Sequence, residues 1–91
     1  MEIRASHILV STLEEANSVL AQLKSGADFA QLARKFSSCP SGKSGGDLGF
    51  FGKGQMVKEF ENAAFALSLN GISQPVKTQF GFHIIKLTEK R

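Results

Sequence analysis

Residues 3–10 alternate Ile3, Ala5, His7 and Leu9 with Arg4, Ser6, Ile8 and Val10, the period of two that sends successive side chains to opposite faces of a strand. The second set turns apolar at Ile8 and Val10, so the strand ends with no face to give to water. Such a strand belongs inside a sheet covered on both sides. The rest of a 91-residue chain has to supply those covers.

The following segments read accordingly. Thr12 with Glu15 fits a helix capping box, and Ser11 with Glu14 fits a second register. Leu13, Ala16, Leu20 and Leu23 recur at helical spacing, and Gly26 is placed to close that helix. Asp28 with Gln31 opens another helix, whose apolar stripe is Phe29, Leu32, Ala33 and Phe36. Arg34 and Lys35 suit the negative end of its dipole. Residues 37–54 hold six of the nine glycines and read as a loop, with a short strand at Asp47–Phe51. Phe60, Ala63, Ala64 and Leu67 predict a third helix with its exit at Asn70-Gly71. Gln74–Lys77 is a short extended piece beside Pro75. Gly81 opens the last strand, with His83, Ile85 and Leu87 on one face and Phe82, Ile84 and Lys86 on the other. The order strand, two helices, strand, helix, two strands predicts one α+β domain over residues 1–91, built on a small, mainly antiparallel sheet.

Composition removes several classes. Hydrophobic residues at 42% and charged residues at 21% are ordinary globular usage, so disorder is excluded. No apolar run approaches the ~18–20 residues of a membrane helix, and the N-terminal residues lack the apolar stretch of a secretory signal. The expectation is a soluble, cytoplasmic monomer. A single cysteine, Cys39, and two distant histidines exclude an internal disulfide and a structural zinc site. Of the net charge of +3, much gathers at Arg34, Lys35, Lys43, Lys53 and Lys58. This reads as a solvated surface, since phosphate-binding surfaces carry denser clusters.

The glycine-rich loop fails the phosphate motifs. Gly42-Lys43-Ser44 ends like a Walker A, but Ser37 stands where its first glycine is required. Gly46, Gly49 and Gly52 are spaced by three, unlike the dinucleotide fingerprint. Gly49-Phe50-Phe51-Gly52-Lys53 does not follow the RNA-binding order. Neither nucleotide nor nucleic acid is expected. His7, His83 and Cys39 remain for chemistry. Each alone reads as a packed core residue, but neighbouring strands would bring the two imidazoles within hydrogen-bond reach. A Cys–His pair would suggest an activated thiol, yet no protease signature surrounds Cys39.

His7-Ile8-Leu9-Val10, Ser41 to Gly49, Gly54-Gln55-Met56-Val57 with Phe60, and Gln79 to Lys86 together resemble the parvulins, a family of peptidyl-prolyl cis/trans isomerases. The four blocks occur in the family's order and span roughly Ile3 to Thr88. The resemblance implies a four-stranded antiparallel sheet surrounded by helices, in the order β-α-α-β-α-β-β. It implies rotation of X-Pro bonds in peptides and in unfolded or nascent polypeptides, with no cofactor and no metal. Position by position, it puts His7 and His83 in a paired-histidine floor and gives Thr78 the hydroxyl that bonds into the pair. Cys39 falls where members carry Cys or Asp. Leu48, Met56 and Phe60 match the pocket for the proline ring, with Phe80 at its edge. Val10 runs almost directly into Ser11–Thr12, without the long basic loop of phosphate-directed parvulins, so no phosphorylated residue before proline should be required.

Overall fold

Ile3–Val10 forms β1 and lies inside the sheet, as its two apolar faces require. The computed structural model describes residues 1–91. After β1 come α1 (Leu13–Lys24), α2 (Phe29–Phe36), β2 (Asp47–Phe51), α3 (Lys58–Ala66), β3 (Val76–Thr78) and β4 (Gly81–Lys90). The four strands are ordered β2-β1-β4-β3, with every neighbouring pair antiparallel. No helix is long and apolar enough to cross a membrane.

The pleat sorts the side chains of β1 and β4 into two clusters. Ile8, Val10 and Ile84 pack under α1 and α2 against Ala16, Val19, Leu20, Phe29, Leu32 and Ala33. Ile3, Ala5, Ile85 and Leu87 face the other way, against Phe51 of β2 and Phe60 and Ala64 of α3. The sheet is therefore the middle layer. His7, Leu9 and His83 share the α3 side by strand parity.

Local chemistry sets the helix starts. Thr12 Oγ1 accepts the Glu15 N–H at 3.1 Å, and the Glu15 carboxylate accepts from the Ser11 and Thr12 hydroxyls at 2.9 and 3.0 Å. The chain thus adopts the Thr12 register, with Ser11 as an added donor. The Asp28 carboxylate accepts the Gln31 N–H at 3.1 Å. Arg4 grips Asp47 with a two-pronged fork, Nε to Oδ1 at 3.0 Å and Nη2 to Oδ2 at 2.7 Å, which ties β1 to β2 and holds the Asp47 carboxyl below its ordinary range.

Five details differ from the sequence reading. Pro40–Ser44 is not loop but a 3-10 helix that starts on Pro40, whose fixed φ suits a first helical position. The stripe of α1 is carried by Ala16, Val19 and Leu20, while Leu13 in the first turn stays 49% exposed. Phe36 is also partly exposed, at 39%, with the Lys35 ammonium 5.1 Å from its ring centre. The third strand runs Val76–Thr78 rather than 74–77, and α3 stops at Ala66, so Leu67 lies just outside it.

Two glycines are dictated by close approach. Gly46, at φ +86°, accepts the His7 N–H through its carbonyl at 2.9 Å, and a Cβ there would collide with the His7 carbonyl oxygen. Gly81, at φ +136°, brings the start of β4 against Val10, where a Cβ would lie 2.6 Å from the Val10 oxygen. Both hold backbone that positions a histidine two or fewer strand steps away.

Candidate active site

His7 and His83 sit on neighbouring strands, β1 and β4, but are not directly opposite: His7 pairs with Ile85 and Leu9 pairs with His83. The diagonal offset brings the rings face to face, centroids 5.0 Å apart and 18° from parallel, with Nδ1 to Nδ1 at 2.9 Å. Both side chains are buried. The far nitrogen of His83, Nε2, lies 2.7 Å from Thr78 Oγ1, and the far nitrogen of His7 lies 3.2 Å from Ser41 Oγ. Ser41 in turn stands 3.2 Å from Cys39 Sγ, and Thr78 Oγ1 accepts the Phe80 N–H at 3.1 Å. One chain of hydrogen bonds thus runs from the Phe80 amide through Thr78, His83, His7 and Ser41 to sulfur.

Counting protons gives that chain a direction. Each neutral imidazole donates once and accepts once. If the Thr78 hydroxyl donates to His83 Nε2, His83 donates through Nδ1 to His7 Nδ1. His7 then donates through Nε2 to Ser41, and the Ser41 hydroxyl donates to Cys39 Sγ. Every donor is used. The reverse direction leaves the buried Thr78 hydroxyl proton without an acceptor, a penalty of about 1–3 kcal/mol. The tautomers that follow are His7 protonated at Nε2 and His83 protonated at Nδ1. Burial, then the proximity of His83, lowers the His7 pKa to about 4, and burial lowers that of His83.

Above this floor opens a cleft of about 480 Å³. Its apolar lining is Leu9, Leu48, Met56, Val57, Phe60 and Phe80, with Cys39 and Pro40 along one wall. The Phe60 ring stands nearly perpendicular to both imidazoles, with centroids 5.5 Å from His7 and 5.3 Å from His83, the T-shaped geometry that aromatic pairs prefer. Phe80 is 61% exposed and forms the rim. Cys39 is a free, half-buried thiol.

The structure brings the sequence-expected residues together. His7, Cys39, Leu48, Met56, Phe60, Phe80 and His83 line the one cleft, and Thr78 lies behind His83 rather than on the surface of the cleft. Cys39 and the imidazoles form no direct pair, because Ser41 stands between sulfur and ring and no hydrogen bond joins Cys39 to either histidine. Ser41 and Leu9 were not singled out by sequence. Leu9 shares a face with His7, so strand parity could have found it; Ser41 is one of four serines between 37 and 44, and only the 3-10 turn selects it. No group of three or more His, Cys, Asp or Glu side chains is arranged to hold a metal ion.

Comparison with known proteins bears on the family and fold of the chain. Residues 1–91 match a family profile described as PPIC-type PPIASE domain. The chain is 54% identical over 90 residues to the foldase protein PrsA of Geobacillus kaustophilus, covering 98% of this chain and 32% of that protein. The crystal structure of a peptidylprolyl isomerase, PrsA, from Bacillus anthracis superposes with a TM-score of 0.97 at 49% identity, over 99% of this chain and 42% of that one. The solution structure of NmPin, the parvulin of Nitrosopumilus maritimus, gives a TM-score of 0.87 at 49% identity, over 96% and 95% of the two chains. The chain spans about a third of the length of the curated relatives it matches.

Proposed function

The chain belongs to the PPIC-type, or parvulin, family of peptidyl-prolyl isomerases, and we propose that residues 1–91 form one isomerase domain that speeds rotation about X-Pro bonds in peptides and unfolded polypeptides, a foldase role. The uncatalysed rotation meets a barrier of ~18–20 kcal/mol because the twisted amide loses its resonance. No bond is broken, so stabilising the twisted state more than the planar one is enough.

Each part of the site has a place in that scheme. Leu48, Met56 and Phe60 grip the proline ring, and Phe80 closes the rim. Exclusion of water strengthens every remaining dipole. The floor holds Cys39 in one orientation: Ser41 donates to its sulfur, which keeps that sulfur in the wall of the cleft beside the amide. His7, His83 and Thr78 are positioning residues behind that thiol. They fix Ser41 and hence Cys39, and neither imidazole takes a proton from the substrate, because rotation has no proton to give.

The observation that carries this reading is the setting of Cys39 Sγ, which lies in the wall of an apolar cleft at the accepting end of a chain of neutral donors. A thiol nucleophile would need a base in contact, and the nearest imidazole is one serine away. The test is exchange of a short X-Pro peptide, followed by protease-coupled cleavage. Acceleration of about 10⁴-fold, equivalent to about 5.4 kcal/mol, is expected. A peptide that binds in the cleft without being turned over would make the domain a holding module instead. A cytoplasmic location is part of the proposal, supported by the free thiol of Cys39, which a reducing compartment preserves; cell fractionation tests it, and an exported protein would overturn it.

A further inference from the structure

The Ser38–Pro40 segment has a second side. Away from the proline cleft, Ser38, Cys39 and Pro40 line a groove of about 310 Å³ together with Ser37, Arg34 and Lys43. Arg34 comes from the last turn of α2 and Lys43 from the 3-10 helix, and both are exposed. Neither is paired: the three ion pairs of the protein use only Arg4 and Arg91 as cations. Lys35 and Lys53, by contrast, are laid over the rings of Phe36 and Phe65. The α2 dipole favours a cation at Arg34, but it supplies no side-chain partner.

The serine oxygens in this groove already make hydrogen bonds inward. Ser37 Oγ accepts the N–H groups of Leu9 and Cys39, and Ser38 Oγ donates to the Leu9 carbonyl. No carboxylate of this chain lines the groove. Its charged groups are two cations, one of them a guanidinium near Gly45, where an added Cβ would lie 3.7 Å from Arg34 Nη2.

We propose that this groove is an anion subsite that receives the carboxylate of an Asp or Glu side chain flanking the proline of a bound peptide. The proposal rests on the isomerase reading of the adjoining cleft. The two depressions share three residues, and an extended peptide advances ~3.3–3.6 Å per residue. A chain leaving the cleft over the Cys39–Pro40 ridge therefore places a side chain in the groove within a few residues of proline. The cations come from α2 and the 3-10 helix, not from a loop after β1.

The experiment uses peptides with Gln or Glu at each of the three positions on either side of proline. Turnover is measured with the wild-type protein and with an Arg34→Gln, Lys43→Gln double variant. At one position Glu should raise kcat/KM over Gln by about three- to tenfold, the range that two partly exposed charge pairs supply. The gain should vanish in the double variant and in ~1 M salt, while both proteins turn over the neutral peptide equally. Absence of any position where Glu exceeds Gln by about twofold, or a gain that survives the double substitution, overturns the subsite. If the wild-type protein fails on the neutral peptide, the isomerase reading is what fails. In that event amide shifts at Gly42 and Lys43 decide the subsite: they should appear with the Glu peptide and not with the Gln peptide, and equal shifts overturn it.

Discussion

On the α1/α2 side of the sheet, Ile8, Val10 and Ile84 meet six helix residues in a cluster with no polar side chain. On the α3 side, the adjacent positions His7, Leu9 and His83 face a cleft, and two imidazoles and two hydroxyls are threaded through the packing. Both environments are made from alternate residues of the same two strands. The apolar side can repack without disturbing a hydrogen bond. The other side is specified atom by atom, because each buried donor or acceptor left unmatched costs about 1–3 kcal/mol. The pleat thus separates a face that stabilises the domain from a face that fixes one thiol.

The comparison breaks if a change on the dry face reaches the chemistry. Ile84→Ala removes a fully buried side chain and should cost ~2–5 kcal/mol by urea denaturation. Its kcat/KM per folded molecule should match the parent. A tenfold fall in a variant shown to be folded by NMR would mean that the faces are coupled.

Acid should find the polar face first. The His7 pKa of about 4 in the fold lies below the 6.5 of an ordinary histidine, so the unfolded chain takes up its proton first as pH falls. The stability is present in full above 6.5 and is lost as pH falls toward 4, by ~3 kcal/mol for His7 alone. In His7→Gln the slope of stability against pH over that window should flatten. A slope unchanged by the substitution would place the acid sensitivity elsewhere. Replacing either histidine by Asn should preserve part of the activity, since an amide also donates and accepts.

Smaller effects are expected at the two hydroxyls. Thr78→Val strips the partner from His83 Nε2 and the Phe80 N–H and should cost ~1–3 kcal/mol of stability, with Thr78→Ser restoring it. Ser41 is nearer the surface, so Ser41→Ala should change stability by ~1 kcal/mol or less and act mainly on kcat, with KM little altered. Equal losses of stability at both hydroxyls would contradict this ranking by burial, in which Thr78 is shut off from water and Ser41 is not.

Much of this was legible in the residues. Period-two alternation placed β1 and β4 with their faces, and Thr12–Glu15 and Asp28–Gln31 marked two helix starts. The His7–His83 pair followed from strand parity, although its diagonal offset depends on register. Other features were not local. Glycine and serine between 37 and 46 read as loop because intrinsic propensity there is low, and Pro40 starts a 3-10 turn only because the surrounding packing holds it. Periodicity also marks a face without its depth, which is why Leu13 was expected inside and lies out. Ser41 carries no signal of its own; its role appears only when the turn sets it between Cys39 and His7.

The central claim is that Cys39 tunes a rotating amide and forms no bond to it. Cys39→Asp and Cys39→Ala, measured on one X-Pro peptide, test this directly. A carboxylate can accept the Ser41 hydroxyl as sulfur does, so the Asp variant should remain an active isomerase. Ala offers no acceptor and should lose about one to two decades in kcat/KM, or ~1–3 kcal/mol. An Asp variant that folds and binds the peptide but does not turn it over would contradict the claim and make the thiol a nucleophile.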